Sequence, residues 1–299
     1  MTDLFKVKLS ELNIEYNASE PMRDHTSFKI GGDAEVFITV KTISELKSVL
    51  SLCREYNVPY LLIGNGSNLL VSDEGIKGAV IRLEGDFKKI EVDGDYITAG
   101  AGASLTKLCL DALKNSLTGL EFGYGIPGSV GGAAYMNAGA YGGEMKDVIV
   151  SCTHLDPNLN VGTFTLDELD LSYRHSVYMK DKYVILSVKV KLQKGDSTAI
   201  KAHMDLFMQK RMDKQPLDLP SAGSVFKRPE GAFAAALIEE SGLKGKSVGG
   251  AQVSEKHSGF IVNKGNATCK DVLDLVEIVK KDVKEKTGFD LEREIIYIS

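Results

Sequence analysis

The sequence predicts an α+β protein, with an α+β N-terminal half and a smaller α/β domain towards the C-terminus. Helix-like and strand-like patterns alternate over the first 195 residues. After Gly195 the strands give way to a long helical pattern and a loop rich in proline and polar residues. At roughly 150 residues per domain, the 299 residues favour two domains or three small ones. The break near residue 195 is therefore a predicted domain boundary.

Composition and charge exclude several classes of protein. The chain carries 36 Lys and Arg against 41 Asp and Glu, a formal charge of −5, and it has no long basic run. This balance disfavours a nucleic-acid binder, and the 43% hydrophobic content excludes a disordered or collagen-like chain. The longest apolar run, Ala232–Ile238, is far shorter than the ~20 residues of a membrane helix. The N-terminus lacks an apolar signal core, so we predict a cytoplasmic protein without a membrane partner.

The four cysteines are widely scattered, at Cys53, Cys109, Cys152 and Cys269. No CxxC pair is present, and the five histidines show no metal-ligand spacing. Neither a zinc site nor a disulfide framework is indicated, and we predict no metal. Cys53 and Cys109 fall on apolar faces of predicted helices, where reduced core residues are expected.

Local patterns define the elements of the N-terminal half. Thr42-Ile-Ser-Glu45 is a capping-box sequence, whose threonine and glutamate side chains satisfy amides at a helix start. Pro59 ends this helix, and the strand Tyr60–Ile63 runs directly into a glycine loop. Residues 183–193 alternate apolar and polar side chains, the period of a strand with one buried face. The other predicted elements are strands at 79–83, 88–92, 96–100, 148–155 and 162–166 and a helix at 104–115.

The C-terminal part is predicted to be mainly helical. Gly242 follows the second helix, at a position where glycine commonly ends helices. A proline-rich polar loop is predicted at 214–223. The predicted helices cover 199–212, 232–240 and 268–286, and the last strand covers 295–298.

Two glycine-rich loops lie in the N-terminal half. One is Ile63-Gly-Asn-Gly-Ser-Asn68, and the other is Gly125-Ile-Pro-Gly-Ser-Val-Gly-Gly132, followed by Asn137-Ala-Gly-Ala140. Amides exposed by glycine can hold an anion, and only glycine lets a large ligand approach the backbone closely. One such loop alone favours a tight turn, since glycine is a common turn former. Two loops in one half, with Ser67, Asn68, Ser129 and Asn137 beside them, favour a bound diphosphate.

Other phosphate-binding motifs are incomplete, and the HExxH motif of metalloproteases is absent. Gly123-Tyr-Gly-Ile-Pro-Gly128 matches GxGxxG, but Pro127 lies inside the loop and glycines continue where a Rossmann helix should begin. Glu240 stands where a P-loop ending in Gly245-Lys-Ser247 needs a glycine. HExxH does not occur, and we predict no hydrolase elbow.

Three short segments carry polar groups suited to catalysis: Tyr173-Arg-His175, Ser221–Lys227 and Leu291-Glu-Arg-Glu294. Taken singly, Arg174 is typical of a salt-bridge residue, Ser224 of a turn hydroxyl and Glu294 of a solvated charge. Spacing alone does not join them into one site.

The ordered series of motifs resembles the UDP-N-acetylenolpyruvoylglucosamine reductase family over nearly the whole chain. These flavoenzymes make UDP-N-acetylmuramate for peptidoglycan. The resemblance implies FAD as cofactor, NADPH as reductant and UDP-N-acetylenolpyruvoylglucosamine as substrate. The motifs are Asp24–Gly32, Gly64–Leu70, Gly125–Gly142, Tyr173-Arg174, Ser221–Ser224, Gly249–Ser254 and Leu291–Glu294.

The family implies an FAD-binding fold of the vanillyl-alcohol-oxidase type, built from two α+β subdomains, and a C-terminal α/β substrate domain. By resemblance, residues 1–78 with the strand 289–299 form the first subdomain, 79–195 the second and 196–288 the substrate domain. The spacing between Arg174 and Ser224 is similar to the shorter form of the family, which lacks an inserted loop whose tyrosine covers the substrate. A monomer or weak oligomer is expected.

The resemblance also implies roles for individual residues. Substrate contacts are expected from Lys214, Lys227, Arg228 and Gln252, although solvated surface residues are an equally good interpretation of the two lysines. Arg228 stands where the longer form has asparagine. Contacts to FAD are expected from Ile63, Gly64, Asn65, Gly66, Ser67, Asn68, Gly125, Pro127, Gly128, Ser129, Gly131, Gly132, Asn137, Gly139 and Tyr173.

The chemistry of the implied reaction suggests three catalytic residues. Hydride addition to an enolpyruvyl ether builds negative charge on the neighbouring carbon and carboxylate. The planar, permanently charged Arg174 is suited to stabilise that charge, and Glu294 could donate a hydrogen bond if protonated or orient a partner. The resulting carbanion equivalent is strongly basic, so Ser224 is expected to act as general acid.

Two alternatives remain open at this point. One is another flavin oxidase or dehydrogenase with the same cofactor fold. Such enzymes often attach flavin through His or Cys in the first glycine loop, and residues 63–68 contain neither, so non-covalent FAD is expected. The other is a non-catalytic nucleotide-sugar binding protein without flavin, which a visible absorption spectrum would distinguish.

Overall fold

The computed structural model describes residues 2–299 and the side chains of residues 3–299. These residues form two compact units. Unit 1 takes the chain up to Asn17, Phe37–Asn65 and Gly78–Lys210, and unit 2 takes Ala18–Val36, Gly66–Lys77 and Arg211–Ser299. The division into three domains at residues 78, 195 and 288 stays a prediction.

The helices are α1 Thr2–Glu11, α2 Ile43–Glu55, α3 Leu105–Lys114, α4 Val130–Tyr135, α5 Ser197–Lys214, α6 Ala234–Glu240 and α7 Cys269–Thr287. The strands before α4 are β1 Glu15–Pro21, β2 Asp33–Val40, β3 Tyr60–Ile63, β4 Leu69–Val71, β5 Ile76–Leu83, β6 Ile90–Asp93, β7 Tyr96–Gly100 and β8 Leu117–Thr118. Those after α4 are β9 Gly139–Ala140, β10 Gly143–Glu144, β11 Ile149–Leu155, β12 Val161–Thr165, β13 Val184–Lys191, β14 Gln193–Lys194, β15 Ser221–Ser224, β16 Ser247–Val248, β17 Ala251–Val253, β18 Phe260–Asn263 and β19 Ile296–Ile298.

Unit 1 is built around a five-stranded sheet in the order β12-β11-β13-β7-β6, and the strands predicted there are confirmed within a few residues. Its central pair is antiparallel, with Cys152 opposite Val188. Along β13, Val188 and Val190 are fully buried, while Lys189 and Lys191 are exposed to solvent. The predicted period of two therefore holds over the second half of the strand, whereas Val184, Ile185 and Leu186 are all buried. The strand β3 also matches its prediction and pairs with β5 in parallel.

The predicted start of α2 is confirmed, with one difference in detail. Thr42 caps α2, and its hydroxyl accepts from Glu45 N at 3.2 Å. The Glu45 carboxylate accepts from Lys41 N at 2.6 Å, one residue earlier than a capping box requires. The helix ends at Glu55, several residues before Pro59.

The helix α4 lies inside the stretch that was expected to be a glycine loop. Ser129 caps it, since its hydroxyl accepts from Gly132 N at 3.2 Å. A β-carbon on Gly131 would lie 2.7 Å from the β-carbon of Ala101. Glycine is therefore needed here for close packing, and the helix depends on tertiary contacts more than on propensity.

Unit 2 has an antiparallel sheet in the order β15-β18-β17-β16, with α6 and α7 contributing to the same apolar core. The last residues of the predicted 214–223 loop belong to β15, and α6 begins at Ala234 instead of 232. Thr268 and Asp271 form a capping box at the start of α7, and Gly288 ends it with φ 80°. The final strand β19 pairs with β4 in parallel.

None of the helices within residues 2–299 combines the length and apolar character needed to cross a membrane. The four cysteines are free and buried, and burial raises the pKa of the Cys53 thiol to about 12. Within the described residues, no group of three or more His, Cys, Asp and Glu is placed to hold a metal ion.

Candidate active site

The two glycine loops meet within unit 1. The strand β3 ends at Ile63, and a β-carbon added to Gly64 would overlap the Ser129 hydroxyl. The next residue, Asn65, donates from Nδ2 to Pro127 O at 2.9 Å. The loops therefore touch because residue 64 carries no side chain.

Backbone hydrogen bonds join the second glycine loop to the start of α3. Leu105 N donates to Gly128 O at 3.0 Å, and Val130 N donates to Ala103 O at 2.8 Å. The backbone amides of Asn65, Gly128 and Ser129 have no hydrogen-bond acceptor among residues 2–299. A group of unpaired amides on two touching glycine loops fits the diphosphate of a dinucleotide. This donor set is the structural feature of unit 1 that fits FAD.

Asn137 is tied to the backbone at both ends of its amide. It is fully buried, with φ 42°, and its Nδ2 donates to Ser172 O at 3.0 Å. Its Oδ1 accepts from Lys146 N at 2.9 Å. Nearby, Ser176 donates from Oγ to Tyr135 O at 2.7 Å. The predicted cofactor residue Asn137 thus links the second loop to the segment that carries Arg174.

Arg174 lies at the tip of a tight turn. Ser172 and His175 exchange backbone hydrogen bonds of 3.2 and 3.1 Å, which leaves Tyr173 and Arg174 at the tip. Arg174 has φ 53°, a sparsely populated conformation for residues other than glycine. Its guanidinium carbon lies 5.0 Å from the centre of the Tyr173 ring, which is 49% exposed. The turn thus presents a planar cation on an aromatic face.

Ser224 and Glu294 lie on neighbouring backbone segments of unit 2. Glu294 N donates to Val225 O at 2.7 Å, one residue after Ser224. Asn68, at the end of the first glycine loop, donates from Nδ2 to Glu294 O at 3.3 Å and accepts from Ile296 N at 2.9 Å. The structure therefore brings together Asn68, Ser224 and Glu294, which are far apart in sequence.

The four predicted substrate residues are also in unit 2, in different surroundings. Lys214 is exposed at the end of α5, and Lys227 forms an ion pair with Glu292. Gln252 donates from Nε2 to Gly245 O at 3.1 Å and to Ser247 Oγ at 3.0 Å. The Arg228 guanidinium carbon lies 4.6 Å from the centre of the Phe233 ring. Lys227, Gln252 and Arg228 therefore all contact other protein groups, and the side chains of Lys214 and Arg228 are exposed.

Comparison with protein families gives the class of this protein. Residues 34–161 match the model of an FAD binding domain, and residues 215–298 match the UDP-N-acetylenolpyruvoylglucosamine reductase C-terminal domain. The chain is therefore a flavoprotein with FAD as its cofactor, and the α+β fold class predicted from the sequence is confirmed. A chain of the BBE-like 1 protein from Physcomitrella patens, 12% identical with a TM-score of 0.50, shares this fold over 93% of this chain and 60% of that one.

Full-length relatives narrow the class to one family. A UDP-N-acetylenolpyruvoylglucosamine reductase from Clostridium novyi is 53% identical over 92% of this chain and 89% of the relative. One from Clostridium perfringens is 50% identical over 94% and 92%. The crystal structure of UDP-N-acetylenolpyruvylglucosamine reductase (MurB) from Thermus caldophilus is 37% identical, with a TM-score of 0.82, over 96% and 99% of the two chains. This chain belongs to the UDP-N-acetylenolpyruvoylglucosamine reductase family, so it is an oxidoreductase.

Proposed function

We propose that this protein reduces the enolpyruvyl group of UDP-N-acetylenolpyruvoylglucosamine to give UDP-N-acetylmuramate, with NADPH as the source of hydride. Family membership and the FAD binding domain support the proposal. The observation in the structure that supports it best is the 2.7 Å hydrogen bond from Glu294 N to Val225 O, the residue after Ser224. The reaction would take place in the cytoplasm, in a monomer or weak oligomer.

Charge stabilisation is assigned to Arg174. Addition of hydride to the methylene carbon of an enolpyruvyl ether leaves negative charge on the adjacent carbon and its carboxylate. FAD, when bound, supplies that hydride. A planar guanidinium can bind both oxygens of the carboxylate, and its charge is worth most where the negative charge develops. The tight turn at 172–175 holds this guanidinium against the Tyr173 ring before substrate arrives.

Proton transfer is assigned to Ser224. The carbon next to the new carboxylate charge is basic enough to take a proton from a hydroxyl, and a positioned acid contributes roughly 10²–10⁴ in rate. Ser224 is exposed at the end of β15, where its hydroxyl is accessible to a ligand. Glu294, on the neighbouring segment, would donate a hydrogen bond to the same charge in its protonated form.

Binding of the cofactor is assigned to the glycine loops. The amides of Asn65, Gly128 and Ser129 would hold the FAD diphosphate, and the cofactor would be non-covalent because residues 63–68 contain neither His nor Cys. The substrate diphosphate would be met by Lys214 and Arg228, the two predicted substrate residues that lie on the surface.

The proposal is tested by following NADPH consumption anaerobically with and without UDP-N-acetylenolpyruvoylglucosamine. The expected result is substrate-dependent oxidation of NADPH and a product heavier than the substrate by two hydrogens. Absence of substrate-dependent NADPH oxidation in this assay would overturn the proposal, and NADPH oxidation that appears only when air is admitted, without this substrate, would indicate a flavin oxidase of the same fold.

A further inference from the structure

The Asp24–Gly32 motif has no role in the chemistry above, yet it lies at the centre of unit 2. Phe28 and Ile30 are buried in the apolar core of unit 2, together with Val225 from the segment after β15. The Thr26 hydroxyl donates to Ile30 O at 3.2 Å, and Asn263 donates from Nδ2 to Phe28 O at 3.2 Å. The backbone of this motif is therefore held on both sides, which makes it a rigid support.

Ser27 uses this support to contact two parts of the candidate site. Its backbone N donates to Gly66 O at 3.3 Å, in the first glycine loop. Its hydroxyl donates to Ser221 O at 2.7 Å, at the start of β15. Ser27 thus joins the first glycine loop to the strand that ends in Ser224.

The contact between the Asp24–Gly32 motif and the first glycine loop is close, and it requires glycine at residue 66. Gly66 has φ 62°, and a β-carbon added there would overlap His25 O. The loop at residue 66 is therefore packed directly on the motif, without a side chain between them. The hydrogen bond from Ser27 to Ser221 therefore holds Ser221 at a fixed position relative to the first glycine loop.

On the other side, Ser221 is the last regular position before a bulge. Ser221 pairs with Val262 and Ser224 with Phe260, and the register of β15 against β18 shifts between these pairs. Within the shift, Gly223 has φ 76°. A bulge re-aims the side chains that follow it. The direction of the Ser224 hydroxyl therefore depends on where Ser221 is held.

We propose that Ser27 is a positioning residue for proton transfer. Its hydroxyl holds Ser221 O, and this contact sets the bulge that aims the Ser224 hydroxyl at the substrate. Ser27 acts through Ser221 and not on the reacting atoms. The inference rests on the proposed function of Ser224 as proton donor.

The test compares Ser27→Ala with Thr287→Val in the flavin-loaded protein. Thr287 is a matched control, since its hydroxyl also donates to a backbone carbonyl at 2.7 Å, that of Val283, and both side chains are half-buried in unit 2. In Ser27→Ala, kcat should fall by about tenfold or more. A misplacement of a catalytic group by 1 Å can lower the rate by ~10². KM and flavin content should stay near those of the unchanged protein. Ser27→Thr, which keeps the hydroxyl, should recover most of the rate.

Amide hydrogen exchange gives a readout besides turnover. Exchange over residues 221–226 should be faster in Ser27→Ala and unchanged in Thr287→Val. If Ser27→Ala does not fold, Ser27→Cys, which keeps the volume but donates weakly, should show the same loss of kcat. Equal kcat in the Ser27 variant and the control would overturn the inference. Absence of enolpyruvyl reduction by the unchanged protein would instead overturn the proposed function.

Discussion

Replacing Asn137 by aspartate removes one hydrogen-bond donor from the interior of unit 1 and changes almost nothing in shape. The buried Asn137 amide donates to Ser172 O at 3.0 Å and accepts from Lys146 N at 2.9 Å. In Asn137→Asp the acceptor towards Lys146 is kept, while an oxygen replaces the donor that faces Ser172 O. Two oxygens then face each other in a buried site unless the new carboxyl group is protonated.

The expected loss in the free energy of unfolding of Asn137→Asp follows from the burial of residue 137 and from the missing donor. A buried polar group left without its partner costs about 1–3 kcal/mol. Each unit by which burial raises the pKa of the new carboxyl group costs a further ~1.4 kcal/mol at high pH. We expect the free energy of unfolding to fall by about 2–4 kcal/mol near pH 8, out of the 5–15 kcal/mol typical of a folded protein.

The sign of the pH dependence distinguishes this explanation from a general loss of packing. A protonated carboxyl can again donate to Ser172 O, so the deficit should be smallest below about pH 4, where the unfolded chain is protonated too. The deficit in stability should grow as pH rises through the raised pKa that the new carboxyl group has in the folded protein, and it should then stay constant.

Urea unfolding of the flavin-loaded protein at about pH 5 and about pH 8 measures this deficit. Asn266→Asp is the matched control, because Asn266 also has a positive φ, 55°, but is exposed. The control should lose less than about 0.5 kcal/mol, as surface substitutions usually do. Equal stability of the two variants at about pH 8 would refute the assigned hydrogen bond to Ser172.

Two further substitutions test the cation and the glycine loops. Arg174→Lys keeps the charge but loses the planar fork, so kcat at saturating substrate should fall by about tenfold or more, approaching the 10²–10³ of a lost donor; near-native turnover would remove Arg174 from charge stabilisation. Gly64→Ala forces a β-carbon onto the Ser129 hydroxyl, so it should lower stability by about 1–3 kcal/mol and weaken FAD binding in a fluorescence titration. Unchanged FAD affinity would show that contact between the loops is not needed for cofactor binding.

The elements that the sequence predicted best are those whose start and end are set by residues within or next to the element. The helix α7 carries its capping box at Thr268 and Asp271 and its terminating Gly288, all within or next to the helix. The strand β3 is a short apolar run bounded by Pro59 and Gly64. Such signals are local, so they can be identified without knowledge of the tertiary contacts.

The elements that sequence missed depend on distant residues. The local signal for a helix at Val130–Tyr135 is only the Ser129 cap, and Gly131 and Gly132 in its first turn disfavour a helix, so close packing of Gly131 against Ala101 is needed as well. The capping glutamate Glu45 was predicted correctly as an acceptor, but its partner is the amide of Lys41. Propensity and spacing carry no information on such choices between neighbouring amides.

The candidate site shows the same division. The glycine loops were identified from composition, but their contact through Gly64 and Ser129 joins residues 65 positions apart and needed the structure. Asn137 was predicted as a cofactor residue because it is polar and close to glycine; its bond to Ser172, 35 positions away, is a tertiary contact. Ser27 lies in the Asp24–Gly32 motif, and its separation of 194 residues from Ser221 explains why no local pattern gave it a role.

The central claim, that Ser224 donates the proton in enolpyruvyl reduction, is tested most directly by anaerobic stopped-flow of Ser224→Ala at the flavin absorption band. NADPH should bleach the flavin at the rate seen in the unchanged protein, because that step needs no proton from Ser224. Reoxidation by UDP-N-acetylenolpyruvoylglucosamine should slow by at least ~10², the low end of the contribution of a general acid. Unchanged reoxidation would contradict the claim, and equal slowing of both steps would show a displaced flavin instead of a missing acid.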